Sequence, residues 1–111
     1  MAVTPRTFSE STQLTASAAT YVAAVVGAKI MIDKFTVYNS DTVPRTVTVH
    51  MVPSAGTAGA TNIILVKTLQ TGETYTCPEV VGHVLEPGAF IQALASTAAV
   101  VNLRVSGRLV S

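Results

Sequence analysis

Tryptophan is absent from this chain, cysteine occurs once, and charged side chains make up only 12% of its 111 residues, about half the ordinary share. Each scarcity excludes something. The single Cys77 cannot form an internal disulfide, so nothing marks an oxidising compartment, and synthesis in a cytoplasm is the default. Seven basic and six acidic residues leave a net charge of +1 and a pI near 7.9. A nucleic-acid-binding domain shows a basic stripe and a pI above about 9, so no nucleic acid is expected as a partner. The opening from Met1 to Gln13 is polar and lacks the apolar region of an export signal. No apolar run reaches the roughly 18 residues of a membrane span, so no membrane partner is expected either.

Residues able to do chemistry are equally sparse. His50 and His83 are the only histidines, and neither stands at a metal-ligand spacing from Cys77 or a carboxylate. On its alternating strand His50 is expected to face solvent, and His83 to hydrogen-bond within a loop. Cys77 has glutamates nearby but no neighbouring base to make it a nucleophile, and is expected to be a buried structural thiol. The six carboxylates, Glu10, Asp33, Asp41, Glu73, Glu79 and Glu86, are scattered singly, so they form no acid/base pair and no calcium loop. Gly56 and Gly59 precede an apolar run, with neither the helix nor the Lys of a phosphate-binding loop. No catalytic, cofactor or metal site is expected, and the chain is read as a non-enzyme.

What the chain has in abundance is valine and threonine, 17 and 16 residues. These β-branched side chains fit a pleated surface and lose rotamer freedom in helices. Alternation is clearest at the end, where Ala99, Val101, Leu103, Val105, Gly107 and Leu109 interleave with Asn102, Arg104, Ser106 and Arg108. In Thr46 to Val52, Val47, Val49 and Met51 alternate inward. Ahead of both runs, Ile30 and Ile32 share one parity and Phe35 and Val37 the other, so a bulge near Asp33 and Lys34 is needed to keep all four on one face. The segment NSDTVPR supplies turn residues, which predicts a hairpin between the strands on either side of it. Gly72 and the Glu86-Pro87-Gly88 run predict two further turns, and residues 53–62 read as an exposed loop with no large apolar anchor.

The expected class is all-β: a single antiparallel β-sandwich of about eight strands, jelly-roll or immunoglobulin-like, over residues 13–111. Residues 1–12 are aperiodic and read as an N-terminal arm outside the core. Arg6 and Phe8 on that arm, with Arg104 and Arg108 about 13 Å apart on the last strand, are the candidate partner-binding residues.

The runs DKFTVYNSDTVPRTVTVHMVPSAG, GETYTCPEVVGHVLEPGAFIQALAS and LRVSGRLV, spread over residues 30–110, resemble small virion structural proteins of tailed bacteriophages. That resemblance implies a capsid decoration (cement) protein or a neck, tail or fibre adaptor. Its partners would be other virion proteins, the major capsid protein first among them, in a homo-oligomeric or multi-copy assembly. Its location would be the virion, assembled in the host cytoplasm. Low charge and a Thr, Val and Ala-rich surface agree with burial in a repetitive assembly. A carbohydrate-binding module is a third reading, weakened by the absence of tryptophan and by only three Tyr and three Phe.

Overall fold

A computed structural model describes residues 2–111, and Met1, the first residue of the expected arm, lies outside the described residues. The chain forms two packed antiparallel sheets. Its strands are β1 (Val3–Gln13), β2 (Ala19–Val22), β3 (Lys29–Asn39), β4 (Arg45–Val52), β5 (Ile63–Leu69), β6 (Thr74–Tyr75), β7 (Val84–Leu85), β8 (Phe90–Ala95) and β9 (Val101–Val110). The first sheet runs β1-β9-β3-β6, with β7 also paired to β3, and the second runs β2-β8-β4-β5. Because β6 and β7 pair with different stretches of β3, each sheet has four strand positions.

The core lies between the sheets. Phe35, Ile30, Ile32 and Val37 of β3 and Leu103 and Val105 of β9 meet Val47 and Val49 of β4 and Ile91 of β8, all at most 1% exposed. The bulge expected near Asp33 is present: β3 slips register on β9 between Ile32 and Lys34, which puts Ile30, Ile32, Phe35 and Val37 on one face. Gly107 sits against this bulge. A Cβ there would lie 2.0 Å from the Met31 carbonyl oxygen, so no side chain fits the approach of β9 to β3. At Glu86-Pro87-Gly88 the Ala89 N–H donates to the Glu86 carbonyl at 2.9 Å, and Gly88 takes the positive φ of +89° required at the third position of a type II turn.

Three expectations are corrected. The NSDTVPR segment does not close a hairpin, because β3 belongs to the first sheet and β4 to the second. Asn39 is the reason. Fully buried at the end of β3, its Nδ2 donates to the carbonyls of Val43 (3.0 Å), Leu69 (3.1 Å) and Gln70 (3.3 Å), while its Oδ1 accepts from the Asp41 N–H at 3.0 Å. One side chain thus ties two sheet-to-sheet crossings, β3 to β4 and β5 to β6, and a turn composition reads the same for an arch as for a hairpin.

Residues 3–13 are not a free arm. They form an edge strand along β9 with register from Val3↔Val110 to Gln13↔Asn102, mostly exposed in their side chains. Two register shifts, at Thr7/Ser9 and Ser9/Thr12, hid that strand from a search for strict alternation.

His50 has the outward parity expected of it but does not face solvent, being only 6% exposed. The loop after β4 folds back over it. His50 Nδ1 donates to Asn62 Oδ1 at 2.9 Å and approaches the Gly59 carbonyl at 3.2 Å. Asn62 Oδ1 also accepts from the Gly59 N–H, and its Nδ2 donates to the Thr57 carbonyl. The loop therefore has a polar anchor where an apolar one is lacking.

Candidate functional site

The alternation that buries one face of β3 and β9 projects the other outward. In register, Tyr38 stands beside Asn102, Thr36 beside Arg104, Lys34 beside Ser106 and Met31 beside Arg108. Four of the seven basic residues, Lys29, Lys34, Arg104 and Arg108, lie on these two strands. Two of them are neutralised: Arg108 donates from Nε and Nη2 to the two carboxylate oxygens of Asp33, both at 3.1 Å, and Lys29 lies 3.6 Å from Glu86. Among the described residues, Lys34 and Arg104 have no ion-pair partner. Their register makes them diagonal neighbours, about 7–8 Å apart at the backbone.

Lys34 and Arg104 line a shallow groove of about 550 Å³ that runs from the bulged end of β1 across β9 to β3. Ser11, Thr12, Gln13, Thr36, Tyr38, Asn102 and Ser106 supply its other polar side chains, and no carboxylate belongs to it. Gln13 Nε2 donates to Asn102 Oδ1 at 3.3 Å, joining two strands across the groove. Hydroxyls, amides and two unopposed cations stand on a lining whose exposed area is mostly apolar, a surface suited to carboxylates carried on a segment with apolar side chains.

The four residues singled out from the sequence separate into two places. Arg6 and Phe8 stay together on β1: the guanidinium carbon lies 5.6 Å from the ring centre, and the half-buried ring packs against the core. Arg104 and Arg108 share the outer face of β9, but the first lines the groove while the second is held by Asp33. The sequence reading missed Lys34, Thr36 and Tyr38 as site residues. Once the bulge turns Phe35 and Val37 inward, these three are the outward complement, so the signal was present in the same alternation.

Cys77 and Tyr75 are occupied elsewhere. Cys77 is fully buried, and burial first, then the charge of Glu79, pushes its thiol up to about 12. The Tyr75 hydroxyl donates to Glu79 at 2.7 Å, which pushes the phenol up to about 12 and holds the Glu79 carboxyl below its ordinary value. His83, expected to hydrogen-bond within its loop, does so through its backbone alone, and its side chain is exposed. No group of three His, Cys, Asp or Glu residues gathers to hold a metal among the described residues. No helix among the described residues is long and apolar enough to cross a membrane. No protein-family model, curated protein or solved structure matches this chain.

Proposed function

We propose that this chain is a non-enzymatic virion structural protein of a tailed phage, of the capsid decoration type, that binds neighbouring major capsid subunits through the outer face of its first sheet. The observation that carries the reading is the groove around Lys34 and Arg104: two unpaired cations and no carboxylate, in a chain with only seven basic residues. An acidic segment of a neighbouring subunit is the natural counterpart.

The strand order supports a jelly roll. The first and last strands are neighbours, and β1/β2, β3/β4, β5/β6 and β8/β9 each change sheet. An immunoglobulin-type sandwich keeps its first two strands side by side in one sheet. Jelly rolls serve as viral capsid and lectin domains, so the architecture suits the virion reading without selecting it from the fold alone. Tyr38, 38% exposed, is the one aromatic side chain in the groove, which gives a sugar no stacking platform of several rings and ranks a carbohydrate-binding module last.

Quantitative mass spectrometry of purified particles tests the assignment. A copy number comparable with that of the capsid subunits is expected. A few copies per particle would move the chain to a neck, tail or fibre adaptor, and absence from particles would overturn the virion reading.

A further inference from the structure

A sheet in a sandwich ends in strands whose outer N–H and C=O groups have no ladder partner, and proteins usually blunt such edges. Three of the edges here are blunted. β1 carries Pro5, Arg6, Glu10 and two register shifts. β6 and β7 have two residues each, and β2 has four residues with a shift after Thr20. The fourth, β5, is different: seven residues, IILVKTL, with no proline or glycine, paired with β4 alone and regular from Leu65 to Leu69. Ile63 is 39% exposed, Ile64 37% and Val66 59%.

The single charge on this strand does not guard it. Lys67 Nζ lies 3.9 Å from Glu73 and 5.0 Å from the centre of the Tyr75 ring, so it is drawn toward β6. What is left on the edge is an uncharged, β-branched template.

We propose that β5 pairs antiparallel with β5 of a second copy, joining two four-stranded sheets into one continuous sheet across a twofold axis. The strand is self-complementary. Centred on Val66, the pairing sets Val66 against its own counterpart, Ile64 against Thr68 and Leu65 against Lys67, so no like charges stand directly opposite and β-branched residues meet one another. A twofold contact needs only one such surface, used twice, which favours a second copy over a different chain. The inference stands on the strand edge and is independent of the virion reading.

Size-exclusion chromatography with light scattering on the purified chain tests it. The wild type is expected to show a concentration-dependent dimer. Val66→Lys is expected to be a monomer with unchanged circular dichroism, since the site is exposed, and to lose any rise of Tm with protein concentration that the wild-type dimer shows. Val66→Cys is expected to form a disulfide-linked dimer on mild oxidation, Cys77 being buried, whereas Val3→Cys on β1 is expected to stay monomeric. A wild type that is monomeric at every concentration overturns the proposal. So does a dimer left intact by Val66→Lys, or one that cross-links through Val3→Cys and not through Val66→Cys.

Discussion

Arg108 grips Asp33 with two nitrogens at 3.1 Å each, while Arg104, four residues earlier on the same strand face, has no ion-pair partner among the described residues. Asp33 is at the bulge that the inward facing of Ile32 and Phe35 demands, so the requirement for a buried face delivers a carboxylate to one arginine and not the other. Both partners of the pair are about two-fifths exposed, and exposed pairs contribute only about 0–1 kcal/mol. Arg108→Ala is expected to cost no more than about 1 kcal/mol, and Arg104→Ala no more than about 0.5 kcal/mol, in urea unfolding. Arg104→Ala should weaken partner binding all the same. A large stability loss from Arg104→Ala would mean that its face is not the outer one.

Leu103 and Gly107 belong to the inner parity of the same strand. Leu103 is 1% exposed, so Leu103→Ala should cost roughly 2–5 kcal/mol by lost burial and an unfilled cavity. Gly107→Ala fails for the opposite reason. Its Cβ would meet the Met31 backbone oxygen, which cannot swing aside, so a loss of at least about 2–3 kcal/mol is expected, with β3 and β9 forced apart. Denaturant unfolding of the two variants checks both; a neutral Gly107→Ala would show that the strands have room to part.

Asn39 offers a chemical test of the arch. Asn39→Ala leaves the buried Leu69 carbonyl and the part-buried carbonyls of Val43 and Gln70 without their donor, at roughly 1–3 kcal/mol for the buried group left unpaired. Asn39→Asp keeps the shape but turns acceptors toward those carbonyls, and is expected to be at least as damaging. If Asn39→Asp melted like the wild type, the side-chain network would not be what holds the two crossings.

Alkaline pH should loosen the fold. The Cys77 thiol, ordinarily at 9.0, and the Tyr75 phenol, ordinarily at 10.0, are both pushed up to about 12 in the folded chain. The folded state therefore favours their protonated forms. Their contribution is complete below the unfolded values and is lost as pH rises from 9 toward 12. Thermal melts should show Tm falling over that range, with a smaller fall in Tyr75→Phe. At the acid end the Asp41 carboxyl, held below its ordinary 3.8 mainly by Arg45, loses its contribution as pH drops through its lowered value. A flat Tm above pH 9 would contradict the buried state of Cys77.

Period-two alternation made β4, β9 and the two halves of β3 legible from the sequence, along with the bulge between those halves, and turn residues marked the Gly88 turn and the Gly72 turn, which the Glu73 N–H closes on the Gln70 carbonyl at 3.0 Å. It could not reveal sheet membership, because the same residues build a hairpin or an arch, and only the long-range bonds of Asn39 distinguish them. β1 was hidden because its bulges break alternation and its partner lies at the far end of the chain. In the candidate site Arg104 was legible as an outward residue, whereas Lys34 and Tyr38 needed the pairing of β3 with β9 to place them beside it. His50 shows the limit of parity: it predicts a face, and a loop can still cover that face.

Binding to particles that lack this chain tests the central claim most directly. Purified particles are mixed with wild-type protein or with the Lys34→Glu/Arg104→Glu double variant, sedimented, and the bound copies counted. Wild type is expected to saturate at a copy number comparable with that of the capsid subunits. The double variant, with unchanged Tm, is expected to lose most of that binding, because its charges then repel the carboxylates the groove attracts. Equal binding by both proteins, or no binding by either, would contradict the account.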